Sequence, residues 1–177
     1  MDEAPVMPAR VAVIFPDADT THVERFRAQW DPLASVVAAH ITIAYPFSWT
    51  HPINELEAVL ADVASETPAF PVHLTDAIGW EDEYVFLQAQ IGAAEISGLH
   101  HRLYQQPALG LAAPHSFVPH MTVGRRQQPD ELLSSVAQAN ARALTVAGRA
   151  LALTVYRIAP DGQRINELSI PFARSPR

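Results

Sequence analysis

The sequence predicts an α+β protein with a duplicated, bilobal fold, in which two antiparallel sheets surround a central cleft and helices pack outside. Stretches of helical and of strand-like hydrophobic spacing alternate along the chain. One four-residue pattern, His–apolar–Thr–apolar, occurs on two predicted strands, and the elements that follow the second copy repeat those that follow the first. We therefore expect residues 1–177 to form a single domain of two pseudo-symmetric lobes.

The first half of the chain is predicted to contain four strands and two helices. In order they are a strand at 10–15, a helix from the Asp19-Thr20-Thr21 cap to about 30, a strand at 40–47, a helix from 53 towards 67, and strands near 71–79 and 84–91. Pro16 closes the first strand, and Pro68 stops the second helix. The acidic turn Glu81-Asp82-Glu83 joins the last two strands into a hairpin.

The second half is predicted to repeat this order. It contains a helix at 93–104, a strand at 120–126, a helix from 129 to about 142, and strands near 144–156 and 164–170. Each histidine-bearing strand is thus followed by helix, strand and strand, and the two histidines are 120 − 40 = 80 residues apart. No low-complexity linker separates the halves, which favours one intimate unit.

The composition excludes several classes of protein. The chain has no cysteine, which excludes a disulfide scaffold and thiolate zinc sites. Its formal charge of 12 − 19 = −7 argues against strong nonspecific binding to long nucleic acids, but it allows a nucleotide or RNA end in a local cleft. The acidic N-terminus and the absence of a long apolar run predict a cytoplasmic protein that does not enter a membrane.

The repeated motifs are His40-Ile41-Thr42-Ile43 and His120-Met121-Thr122-Val123. Because side chains alternate along a strand, His and Thr share one face of each strand and the two apolar residues share the other. Each motif therefore places an imidazole beside a hydroxyl. Phosphodiester cleavage needs a base for the attacking oxygen and an acid for the departing one, and histidine titrates near neutral pH. Threonine hydroxyls can hydrogen-bond the phosphoryl oxygens.

These motifs resemble those of the 2H phosphoesterase superfamily, in particular its 2′-5′ RNA ligase-like and cyclic phosphodiesterase branch. The resemblance rests on residues 40–45 and 117–125, and the element order extends it over nearly the whole chain. It implies that the motifs face each other across a cleft, that His40 and His120 are catalytic, and that Thr42 and Thr122 contact the phosphate. The expected substrate is an RNA-type 2′,3′-cyclic phosphate or a 2′-5′ phosphodiester. The resemblance does not decide whether the reaction is hydrolysis or ligation. It also does not decide which histidine is the acid and which is the base.

Two further residues match frequent positions of the family and are candidates for substrate binding. Tyr45 follows the first motif and would serve either as core packing or as a platform for a base. Arg125 follows the second motif and would serve either as a solvated charge or as a phosphate ligand. Strict alternation turns Arg125 away from His120 unless Gly124 introduces a bulge.

Two other functions remain as alternatives. One is a noncatalytic module that binds an RNA end or a nucleotide, and the other is a metal-dependent hydrolase that uses His40, His115 and His120. In the leading interpretation we expect no cofactor, no metal and no obligatory protein partner. His73 is expected at the surface, and solvent exposure is likewise expected for the pair His100-His101.

Overall fold

The structure is a computed structural model that describes residues 8–112 and 116–174. The described residues form eight strands, four α-helices and one 3₁₀ turn. The elements are β1 (Ala9–Ile14), α1 (Thr21–Trp30), β2 (Ile41–Ser48), α2 (Ile53–Ser65), β3 (Phe70–Trp80), β4 (Tyr84–Ile91), α3 (Ala93–Tyr104), a 3₁₀ turn (Pro107–Leu109), β5 (His120–Arg125), α4 (Pro129–Ala141), β6 (Val146–Ala150), β7 (Ala152–Ile158) and β8 (Arg164–Pro171). Within these ranges, every helix is too short or too polar to cross a bilayer.

All the strands of the described residues belong to one sheet, in the order β6-β3-β4-β5-β2-β1-β7-β8, and each neighbouring pair is antiparallel. The expected α+β class is confirmed, but the expectation of two separate sheets is not. The two halves are joined because the histidine strands β2 and β5 pair with each other, with Ile41 opposite Met121. Sequence periodicity reports the faces of a strand and not its neighbours, so it did not indicate this junction.

The sheet is strongly curled. The strand predicted at 144–156 is in fact two strands, β6 and β7, separated by Leu151. β6 pairs with β3 at one edge of the sheet, whereas β7 pairs with β1 near the other edge. Because a single residue connects them, the two edges must lie close together. A bridge between Asp17 and Arg149 also links the end of β1 to β6.

The helices cover one face of the sheet and form the main hydrophobic core with it. From the two histidine strands, Ile41, Ile43, Met121 and Val123 are fully buried in this core. Alternation then directs the histidine and threonine of each motif to the opposite face. A small second cluster, which includes Val13 and Tyr156, packs separately from the main core.

Candidate active site

The two motifs meet where β2 and β5 pair as neighbouring strands of the sheet. The strands are antiparallel with Ile41 opposite Met121, so the residue before one of these lies towards the residue after the other. His40 therefore lies towards Thr122, and His120 lies towards Thr42. Each imidazole is brought towards the hydroxyl of the other motif, an arrangement that the two sequence patterns did not specify.

Both imidazoles are held in the same way. Nδ1 of His40 donates a hydrogen bond to the Ala38 carbonyl oxygen at 2.7 Å, and Nδ1 of His120 donates to that of Val118 at 2.5 Å. A carbonyl oxygen can only accept, so these contacts assign the proton to Nδ1 in each neutral ring. Nε2 then carries the lone pair and is the nitrogen left for proton transfer.

The two rings differ in their surroundings. His120 stacks on Phe86, with 3.5 Å between ring centroids and 15° between the ring planes, and Phe86 stacks in turn on Trp80. His40 instead makes edge contacts with Phe15 and Tyr156, at 5.7 and 5.8 Å. The stacked ring covers a face of His120, whereas His40 remains half-buried.

These surroundings lower the pKa of both histidines. Burial lowers the pKa of His120 to about 4, the hydrogen bond to Val118 opposes this, and the charge of His40 adds to the lowering. Burial also lowers the pKa of His40, with the bond to Ala38 acting in the opposite direction.

Thr42 and Thr122 lie where two cavities join. One cavity of about 470 Å³ is lined by His120 and by both threonines. The other, of about 270 Å³, is lined by His40 and by the same two threonines. The four motif residues therefore line one continuous cleft, with a histidine on each side of the threonine pair.

A β-bulge lies at the last residue of each motif and brings one more side chain to the cleft. In β2, Ala12 pairs with Ala44 while Val13 pairs with Thr42, so β2 carries an extra residue and Tyr45 turns to the side of Thr42. Tyr45 lines both cavities and is 42% exposed, which does not fit a role in core packing. Its backbone N–H donates to the Tyr104 hydroxyl at 3.2 Å.

The equivalent bulge lies in β5. Val85 pairs with Gly124 while Phe86 pairs with Thr122, so β5 carries an extra residue here. This bulge turns Arg125 to the side of Thr122, whereas strict alternation would have turned it away. Arg125 lines the cavity of His40. Its guanidinium is bound to Glu83, with an Nη2–Oε1 distance of 2.6 Å, and lies 5.4 Å from the ring centre of Tyr84.

Solvent exposure was expected for both His100 and His101. His101 is exposed, but His100 is buried. His100 is buried because Nδ1 donates to the Ile43 carbonyl oxygen at 2.7 Å and its ring stacks on Phe117, with 3.7 Å between centroids. His100 thus links α3 both to the first motif and to the segment before the second. Helical spacing did not reveal these contacts, because both partners are distant in sequence.

His73 lines neither cavity of the cleft. His73 is half-buried and its Nε2 lies 2.9 Å from the Thr145 hydroxyl, away from both motifs. His115, a ligand in the metal-dependent alternative, lies outside the described residues. Within 8–112 and 116–174, no group of three or more His, Asp or Glu side chains is arranged to hold a metal ion.

Several cleft residues carried no signal in the sequence. They lie on strands β3, β4, β7 and β8, in the turn between β3 and β4 or in the loop before β5, and are mostly aromatic or basic: Trp80, Glu81, Tyr84, Phe86, Ser116, Tyr156 and Arg164. Each belongs to no motif, and its place in the cleft depends on strand order. The pairing of β4 with β5 brings Phe86 beside Thr122, for example.

Comparisons with known proteins place the chain in a family. Residues 15–161 match the model of the 2′-5′ RNA ligase superfamily. Proteins of Geobacillus thermodenitrificans and Geobacillus kaustophilus, both provisionally named phosphoesterases, are each 29% identical over 104 residues, which are 56% of this chain and 58% of theirs. The match thus spans a little over half the length of these relatives.

Solved structures share the fold over almost the whole chain. Escherichia coli LigT complexed with NADP+ superimposes with a TM-score of 0.61 at 19% identity, covering 96% of this chain and 100% of LigT. A Thermus thermophilus protein gives a TM-score of 0.60 at 17% identity, with 96% and 100% covered. Since the family model extends over most of the sequence, the chain belongs to the 2′-5′ RNA ligase superfamily, as its paired motifs predicted.

Proposed function

We propose that this protein is a phosphoesterase that acts on an RNA-type 2′,3′-cyclic phosphate or 2′-5′ phosphodiester by paired-histidine acid–base catalysis. One observation carries the proposal: Thr42 and Thr122 lie at the junction of two cavities, one lined by His40 and the other by His120. A phosphate at the threonine pair would then have an imidazole on each side. Residues 1–177 would act as one domain of two related lobes.

The chemistry of this arrangement follows from its two nitrogens. One neutral imidazole accepts a proton at Nε2 from the attacking water as the new P–O bond forms. The other, protonated at Nε2, donates that proton to the departing ribose oxygen as the old P–O bond breaks. Hydrolysis consumes one water. In ligation a ribose hydroxyl takes the place of that water: its oxygen bonds to the phosphorus of a cyclic phosphate and its proton passes to the base, while the ring P–O bond breaks and the departing ribose oxygen takes the proton of the acid. The two threonine hydroxyls donate hydrogen bonds to the nonbridging oxygens, where negative charge increases in the transition state.

The comparisons support a nucleotide or RNA-end substrate. LigT has been solved with 3′-AMP, with ATP and with NADP+, which are all phosphate-bearing nucleotides. In the present chain the cavity on the His120 side is lined by Tyr45, Trp80 and Tyr84, whose rings offer faces on which a base can stack.

A turnover screen tests the proposal. The substrates are the four nucleoside 2′,3′-cyclic phosphates and short 2′-5′ oligonucleotides, with the position of the product phosphate assigned for each. We expect turnover that survives exhaustive chelation. Binding of these ligands without turnover would favour a noncatalytic module, and activity that is lost on chelation and restored by a metal would favour the metal-dependent hydrolase.

A smaller effect is expected at the threonines. Thr42→Ala and Thr122→Ala should each lower turnover measurably but by less than removal of a histidine, because backbone N–H groups and the other hydroxyl can still contact the phosphate. A threonine variant as inactive as a histidine variant would show that the hydroxyls do more than stabilise the phosphoryl oxygens.

A further inference from the structure

The His40 side of the cleft contains three arginines, and their charges are not balanced equally. Arg27 is buried and forms ion pairs with Asp31 and Glu24, both at 2.8 Å. Arg125 is paired with Glu83. These two guanidinium groups are therefore neutralised by carboxylates of the protein itself.

Arg164 is different. It lines the same cavity, yet within the described parts of the chain its guanidinium forms no ion pair with a carboxylate. Its Nη1 donates to the Gly162 carbonyl oxygen in the turn between β7 and β8, and its Nε is buried without a hydrogen-bond partner. Gly162 has a φ of +85°, which glycine adopts without strain, so the turn that carries this carbonyl is not strained. The side chain is held in place while its charge stays unpaired.

Tyr156 relates this charge to the catalytic centre. Its ring contacts His40, with 5.8 Å between centroids. Tyr156 and Arg164 line the same cavity as His40. Burial raises the pKa of Tyr156, and the charge of Arg164 opposes this rise. Arg164 thus lies on the His40 side of the cleft and lines no part of the cavity that holds His120 and its stacked aromatic residues.

We propose that Arg164 binds a second phosphate of the substrate, carried on the ribose that also bears the reacting phosphate. This inference rests on the proposed function. In a nucleoside 2′,3′-cyclic phosphate, the 5′ carbon is the remaining ribose position that bears a phosphate in RNA. The cleft would then hold the base among the aromatic rings near His120, the reacting phosphate at the threonines and the 5′-phosphate at Arg164. A guanidinium suits this role because it forms paired, charge-assisted hydrogen bonds with phosphate oxygens.

Binding to the whole protein tests the inference without relying on turnover. Calorimetry would compare adenosine 3′-phosphate with adenosine 3′,5′-bisphosphate. We expect the wild type to bind the bisphosphate at least about tenfold more tightly, and Arg164→Gln to reduce this preference to less than about threefold. Arg164→Lys, which keeps the charge but loses the paired donors, should be intermediate. Arg25→Gln is the matched control, because Arg25 is exposed on α1 and lines neither cavity of the cleft.

The inference is overturned if the wild type binds neither ligand, if it binds the two within about threefold, or if folded Arg164→Gln keeps the full preference. Where Arg164→Gln does not fold, Arg164→Lys decides the matter, because a folded Arg164→Lys that keeps the full preference also overturns the inference. Failure of the proposed function has a different signature, since it is the absence of turnover in a protein that still prefers the bisphosphate.

Discussion

Ile41 and Met121 lie opposite each other where the two histidine strands pair, and both side chains are fully buried. This pair anchors each motif on the helix-covered face, so His40 and His120 emerge together on the other face. A shift of one residue in either strand would exchange its two faces and direct a histidine into the core. The buried apolar residues of the motifs thus fix the strand register, and this register places the histidines and threonines in the cleft.

Removing either histidine should abolish most of the activity. His40→Ala and His120→Ala should each lower turnover by roughly a hundredfold or more, because one variant loses the base and the other the acid. The double variant should cost less than the product of the two, since both residues act in one step. His101→Ala, on the exposed side of α3, is the control and should keep wild-type turnover. Circular dichroism would establish first that each variant folds, and wild-type turnover in a folded His40 or His120 variant would contradict paired-histidine catalysis.

The maximum of kcat/KM should lie at acidic pH. Both imidazoles have pKa values below 6.5 in the free protein, with that of His120 at about 4, so both are neutral at pH 7. The singly protonated form, which holds one base and one acid, is most populated between the two pKa values. The maximum of kcat/KM, which reports the free enzyme, should therefore lie between about pH 4 and 6.5. Initial rates at constant ionic strength would measure it, and a maximum above pH 7 would show that the histidines are not lowered in this way.

Phe86 should position His120 through its stacked ring. Phe86→Leu removes the stacked ring, so the imidazole should lose its fixed orientation and become more hydrated. We expect kcat to fall by roughly tenfold and the acidic limb of the pH profile to move to higher pH, because the pKa of His120 rises. Phe86→Tyr keeps the ring and should retain both properties. Unchanged kcat and an unchanged profile in Phe86→Leu would exclude this role.

Gly124 should be needed for packing behind the second motif. A Cβ added there would lie 3.1 Å from Val85 Cγ2 and 3.3 Å from Trp30 Cβ, so strand and helix would have to move apart. Gly124→Ala should lower the free energy of unfolding by about 1–3 kcal/mol, as overpacking does. Gly79→Ala is the matched control, since its Cβ would meet side chains no closer than 3.9 Å. Urea denaturation of both variants would compare them, and equal stability would show that the close contact relaxes at little cost.

The sequence by itself determined which motif side chains share a face and most of the elements that carry them. Strand parity is a local property, so the two motifs sufficed to predict that His40 shares a face with Thr42 and His120 with Thr122. Most helix and strand positions were likewise predicted, because proline, turn residues and hydrophobic spacing act within a few residues. The superfamily followed from the same two motifs.

Only the tertiary structure decided which strands became neighbours. The pairing of β2 with β5 replaced two sheets by one, and the separate partners of β6 and β7 divided a strand that appeared continuous in the sequence. Strand order also brought Phe86 to His120, and the bulge before Arg125 appeared only in the register with β4. These features depend on contacts between segments far apart in the chain, and the free energy of such contacts is set by how the whole core packs rather than by any local pattern.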